Sequence, residues 1–418
     1  MRVCCPAVQP CGRRGSLCAG FALLLCMLAT NANAQSPVTV RAGAHAVGVV
    51  TRADPALLGD ERTESYLTQP MIMAHASWRD RLTLSATINF EGWTLDRGEL
   101  MAGNAGEGYI DRRHPHTFLH EVMLTGFVSA AGFDASLAFG RGFAPFGTDD
   151  PMVRPFVKYP ANHHWSQILE RWVLVGALKR GPVAFEAGLF NGNEPTSPED
   201  LGRLSRFADS HAFRLSLSPI RSLELQGSYA AVESPEHVLG GGLDQRKWSA
   251  SGRWDGRETV GLPLYGFVEW AETHEYDDDR RAFLFTTVLA EAALDADAWR
   301  LAARFERTTR PEEERLFDPF RSARPHADEN IIGVTRWNTT TLHAGRVLEV
   351  EGLTVRPFVE ASLAQVREIT GAIFQPVEFY GDDRLWNLSI GIKVRFGMQH
   401  IRMGRYGVAG PAIHDHGM

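Results

Sequence analysis

The residues best suited to chemistry are histidines gathered in two short stretches. Tyr109–Glu121 reads YIDRRHPHTFLHE, and Asn162–Trp165 reads NHHW. Pro115 lies between His114 and His116 and holds that pair extended, with both rings toward the same side. His114 with His116 and His163 with His164, on neighbouring loops, would offer four imidazoles to Zn²⁺ or Cu²⁺. The competing use of the same atoms is a loop-fixing hydrogen-bond network of Asp111, Arg112, His114 and His116. The C-terminal end adds His414, Asp415, His416 and Met418. Acidic runs at Asp149–Asp150, Asp277–Asp279, Glu312–Glu314 and Asp382–Asp383 read either as divalent-cation or pore-mouth charges, or as solvated loops. There is no GxSxG, no HExxH and no phosphate-binding glycine loop. No enzymatic activity is expected.

Positioning such residues is the task of the rest of the chain. Met1–Ala34 reads as a secretory signal, with Arg2, Arg13 and Arg14 ahead of the apolar Phe21–Leu28 and a small-residue Ala32-Asn33-Ala34 cleavage site. All five cysteines (Cys4, Cys5, Cys11, Cys18, Cys26) fall inside it. The processed chain therefore has no disulfide, cysteine nucleophile or thiolate metal site. Losing 34 of 418 residues and three arginines leaves 384 residues and moves the formal charge from −7 to −10, which disfavours nucleic acid as a partner. No later stretch is apolar enough for a membrane helix, so a membrane residence would require a closed barrel.

Leu385–Phe396, LWNLSIGIKVRF, supplies the wall pattern. Trp386, Leu388, Ile390, Ile392, Val394 and Phe396 alternate with Asn387, Ser389, Gly391, Lys393 and Arg395. Strict alternation over that length is a strand between two environments, and crossing a bilayer at a tilt takes roughly 9–11 residues. Sixteen such stretches are expected, from Thr39–Val50 to Leu385–Phe396. Tight turns such as Arg79–Arg81 and Ala130–Gly132 alternate with long polar loops, among them Thr51–Pro70, Arg141–Gln167, Glu272–Arg281 and Thr308–Asn330. Outer-membrane barrels keep that parity. The expected fold is all-β, a transmembrane antiparallel β-barrel of about sixteen strands (14–18), with short periplasmic turns and long external loops. The expected domains are a signal at 1–34, a barrel at 35–396 and a periplasmic tail at 397–418.

A charge facing lipid would cost ~2–4 kcal/mol, so the charged alternates are expected to face inward. Arg253, Arg300, Arg304, Arg356, Glu360, Lys393 and Arg395 would line a polar lumen of mixed sign. Tryptophans near strand ends (Trp93, Trp172, Trp248, Trp254, Trp270, Trp299, Trp386) suit an aromatic girdle. Arg141–Gln167, rich in Pro, Gly and aromatics, reads as a shaped loop, either folded inward or forming an outward lid.

Three segments carry a resemblance: DRRHPHTFLHE at Asp111–Glu121, NHHWSQ at Asn162–Gln167 and GLFNGNEP at Gly188–Pro195. In this order they resemble DRQHPHD-, HHWxD- and GxFNGREP-like segments of a group of uncharacterised proteobacterial outer-membrane barrel proteins. The similarity spans roughly Gly108–Glu236. It departs at Arg113 for Gln, Thr117 for Asp and Gln167 for Asp, so part of any metal site built on those acids would be lost. The resemblance implies a porin-like build and an association with heavy-metal, particularly copper, resistance. The expectation is a passive porin-like channel in the outer membrane. Its partners would be membrane lipid and lipopolysaccharide, small solutes or ions, and its own copies in a homotrimer. The alternatives are a copper- or zinc-binding or metal-exporting barrel, and a non-conducting structural or adhesion barrel plugged by its loops.

Overall fold

A computed structural model describes residues 37–55, 61–79, 81–94, 116–148, 150–161, 163–256, 261, 263–313, 331–370, 375–398 and 403–410. The alternation of the last strand is written into its burial. Leu388, Ile390 and Ile392 are 40%, 60% and 49% exposed, whereas Asn387 and Ser389 are 3% and 0%. The same two-sidedness runs through β1 (Val38–Asp54), β2 (Arg62–Trp78), β3 (Leu82–Asn89), β4 (Leu119–Ala130), β5 (Phe133–Gly142), β6 (Arg171–Arg180), β7 (Val183–Phe190) and β8 (Ser210–Ile220). It continues through β9 (Leu223–Val232), β10 (Asp244–Asp255), β11 (Leu264–Asp277), β12 (Arg280–Ala296) and β13 (Trp299–Glu313). β14 runs Ile331–Arg346 and resumes as Leu348–Val350, followed by β15 (Leu353–Thr370) and β16 (Arg384–Gly397). Each strand pairs antiparallel with its sequence neighbours, and β16 pairs β1 from Gly43–Gly397 to Asp54–Trp386. The result is a closed sixteen-stranded antiparallel barrel, as expected. Closure gives every strand two antiparallel neighbours, as a wall in lipid requires.

One end carries tight turns. Ala131 and Gly132 (φ 52° and 77°), and Glu351 and Gly352 (φ 50° and 83°), close two-residue hairpins. Positive φ at both central residues matches the right-handed twist of the flanking strands. The opposite end is less loop-like than its polar composition suggests. Glu272–Arg281 was expected as a long loop, but β11 and β12 continue to a two-residue turn at Asp278–Asp279. Most of Thr51–Pro70 is likewise strand. The ladder needs only backbone partners, so polar side chains can ride on a hairpin that projects into water.

Short helices α1 (Glu91–Thr94), α2 (His163–Ser166) and α3 (Pro376–Tyr380) interrupt the loops. On the wall, Trp78 and Trp299 lie outward at the short-turn end and Trp386 at the other, 44%, 50% and 38% exposed. Between them lies a belt of exposed Leu, Val, Ile and Phe. Ile390 sits at mid-strand, and we expect Ile390→Arg to destabilise the barrel in lipid by about 2–4 kcal/mol. Ile390→Leu, which keeps the outer face apolar, should be nearly silent by comparison. Reversible unfolding in lipid vesicles measures both, and equal costs would remove the belt's assignment.

Candidate functional site

The inner face is the candidate site, and two segments of the chain occupy it. The first is the connection between β5 and β6, residues 143–170. It folds inward across the lumen to the far wall. Gly147 makes the turn at φ +66°, and a Cβ there would lie 1.6 Å from the Ser166 carbonyl oxygen, so only glycine fits. Beyond it, Thr148 donates to Glu269 on β11 at 2.9 Å, and Arg154 reaches Glu269 and Glu291 at 3.5 and 3.8 Å. The backbone N–H groups of Val157 and Lys158 donate to Glu360 on β15 at 2.7 and 2.9 Å. Ala161 N–H donates to Glu306 on β13 at 2.6 Å, and Arg304 donates to the Lys158 and Tyr159 carbonyls at 3.0 and 3.2 Å. Lys393 Nζ on β16 donates to the Met152 carbonyl at 3.2 Å, and Trp165 stacks on Phe285 of β12 at 4.7 Å. Loop backbone without a ladder thus finds charged wall side chains, which supply stronger, charge-assisted bonds.

The second segment is Met403–Gly410. The sequence placed it in a periplasmic tail beyond residue 396. It lies instead against the inner face of β4–β9. Arg405 donates to Ser216 and Glu224 at 2.9 Å each and to Gln226. Tyr406 donates to Glu121 at 3.0 Å and accepts from Phe143 N–H at 3.0 Å. Arg214, bidentate on Glu186 at 2.5 and 2.6 Å, also donates to the Gly404 carbonyl. Carboxylates pointing into the lumen draw the arginine in.

The expected polar lumen of mixed sign therefore holds for only part of the wall. Met123, Val173, Val175, Phe190, Ala212, Ala230 and Val232 point inward and form one apolar core with Phe143, Phe146, Tyr159, Met403 and Tyr406. The readable signal was RWVLVGALKR in β6, apolar on both alternating faces. Such a strand is covered on both sides.

Among the residues expected to line a pore, Arg304 and Glu360 are 2% and 1% exposed and anchor the loop. Arg253, Arg300 and Arg395 are half-buried toward the short-turn mouth, with Arg356 and Lys393 at 8% and 7% beside them. Of the expected metal ligands, His114 and the side chains of His163 and His164 lie outside the described residues. His116 is buried, its Nδ1 2.6 Å from Glu91 Oε2. The described residues contain no group of three or more His, Asp or Glu placed to hold a metal. Residues the sequence reading missed complete this corner. His120 lies 2.7 Å from Glu170, and its ring is 5.6 Å from that of His116. Arg141 donates to Thr117 and to the Leu119, Asp200 and Leu201 carbonyls. Thr117, one of the departures from the resembled pattern, is thus an arginine partner.

Glu91 and His116 lie outside the strands and titrate as a pair. Burial by itself would lower the His116 pKa, but the Glu91 charge and hydrogen bond outweigh it and raise it to about 9. Burial would raise Glu91, yet His116, Thr68 and the Gln69 N–H bring it to about 2. A raised histidine stabilises fully below its ordinary value near 6.5 and loses that contribution as pH rises through about 9. A depressed carboxylate stabilises above about 4.5 and loses it as pH falls through about 2. We expect the thermal midpoint of the parent to fall between pH 6.5 and 9.5 and that of Glu91→Gln/His116→Gln to stay flat there. Parallel pH profiles would refute the pairing.

No protein-family model matches this chain. No curated protein matches it either. Solved structures do. An anion-selective porin from Comamonas acidovorans superposes with a TM-score of 0.51 at 8% identity, covering 86% of this chain and 100% of that one. The outer-membrane-expressed OmpT of Vibrio cholerae gives 0.49 at 9%, covering 87% and 99%. Pseudomonas aeruginosa OccK3 gives 0.39 at 9%, covering 86% and 96%. The first of these shows that the wall has the porin type of barrel fold.

Proposed function

We propose that this chain is exported to the bacterial outer membrane and forms a porin-like channel for passive diffusion of small polar solutes or ions. The observation that carries this reading is the inward loop at 143–170, stitched across a closed barrel whose outer belt is apolar and whose β10–β16 inner face is charged. About sixteen strands enclose an aqueous lumen unless it is filled, and this loop sets the constriction. Arg253, Arg300 and Arg395 would line the water-accessible path below it, with Arg356 and Lys393 buried beside them, while Arg304 and Glu360 hold the loop in place. No hydrolytic or redox role is part of the proposal.

One alternative has an observation in its favour. Both the loop and Met403–Gly410 lie inside the barrel, which suits a plugged, non-conducting barrel. Single-channel recording of refolded protein in a planar bilayer separates the two. Discrete steps support the channel; silence from protein shown to be folded supports the plug. Recording with and without micromolar Cu²⁺ or Zn²⁺ also tests a metal-responsive mouth at His114, His116, His163 and His164. Metal block that survives the quadruple alanine variant would remove those histidines from consideration.

A further inference from the structure

Below the loop, on the short-turn side, three of four adjacent strands bring cations to one level of the inner wall. Arg356 on β15 faces Lys393 on β16 in the strand register, and Thr354 faces Arg395. Arg300 on β13 pairs in register with Gly345 on β14. The carboxylates nearby are already engaged. Asp295 is bidentate with Arg300 at 2.5 and 2.6 Å. Glu360 receives Val157 N–H, Lys158 N–H and His343 Nδ1, the last at 2.8 Å. Glu349 accepts from Thr354 at 3.0 Å. Among the described residues, neither Arg356 nor Lys393 has a carboxylate within ion-pair distance, although both are over nine-tenths buried.

Two further atoms point to a ligand. Arg356 Nε and His343 Nε2 are buried without a hydrogen-bond partner. They lie on either side of Gly345, where an added Cβ would sit 2.9 Å from His343 Nε2 and 3.2 Å from the Arg356 stem. The missing side chain lets both pack against the strand backbone there, too closely to admit even a methyl group. Burying uncompensated cations is costly unless an opposite charge joins them, and guanidinium and ammonium donors match oxyanion geometry.

We propose that Arg356, Lys393 and Arg395, with His343, form a binding site for a small soluble oxyanion of phosphate size. The ligand reaches it from the short-turn mouth, where Arg300 and Arg395 are half-exposed. The barrel wall separates the site from lipid headgroups. The site deepens the channel reading by giving it a ligand class, and it is tested without any current.

The experiment is calorimetric titration of inorganic phosphate into the refolded full-length barrel in detergent, against chloride at matched ionic strength. Saturable one-site binding of phosphate alone is expected, weakened about tenfold or more in Arg356→Gln/Lys393→Gln. Arg346→Gln removes one charge on the exposed outer face at the same end and is expected to leave binding unchanged. Lack of saturation, equal binding of chloride, or equal loss in Arg346→Gln overturns the proposal. Should the double variant not fold, Gly345→Ala, which keeps every charge, is expected to lose phosphate binding, and retention would overturn it. Binding without conductance would leave this site standing and remove the channel; conductance without binding would do the reverse.

Discussion

Deleting residues 403–418, or replacing Arg405 with alanine, is expected to enlarge the single-channel step by roughly twofold or more, since a sixteen-strand lumen is wide when unfilled. Arg405 is the segment's charged anchor, and its partners Ser216, Glu224 and Gln226 lie on adjacent strands near the short-turn end. Arg405 also lies 3.9 Å from Glu186, but Glu186 keeps its bidentate Arg214 when Arg405 is lost. The wall therefore stays satisfied, and the point variant should fold. The full deletion also uncovers apolar residues such as Met123 and Phe143, so its thermal midpoint should drop more than that of Arg405→Ala. Unchanged steps from folded protein of both variants would place the segment outside the conduction path. Silence in the parent with steps in either variant would make the tail a plug.

Glu360→Ala is expected to be the most damaging single change on the far wall. The carboxylate collects two loop N–H groups and His343, all buried. Breaking a buried charged network by removing one partner costs on the order of 3–5 kcal/mol. The loss should loosen residues 143–170 where they meet β15, giving a lower unfolding midpoint and noisier open-channel current. Glu360→Gln keeps one acceptor and should lie between alanine and the parent. Equal stability of the alanine variant would mean that Arg304, Glu306 and Glu269 hold the loop without it.

The barrel was legible from single strands. Alternation in LWNLSIGIKVRF and in WRLAARFE names both faces, and the parity of connections names the two ends. Strand ends were less legible. Thr273–Asp277 is polar enough to read as loop, yet it pairs in β11 because a ladder asks nothing of side chains. The inward face of β6 announced itself only as surplus hydrophobicity: Val173 and Val175 meet residues such as Phe146 that are distant in sequence.

The site divides the same way. Composition could mark Arg304 and Glu360 as inward, because a charge on the lipid face would be too costly. It could not say that they hold a loop rather than line open water. That depends on where 143–170 finds hydrogen-bond partners for its backbone, a matter of three-dimensional proximity across the lumen. His116 was visible as chemistry, but Glu91, its partner, is 25 residues away in sequence, and no local spacing joins them. The sequence by itself determined a wall with a lipid face and a lumen face, because the period of two is a local property of every strand. Only the tertiary structure decided what fills the lumen, since closing the barrel turns distant carboxylates, arginines and one re-entering tail into neighbours.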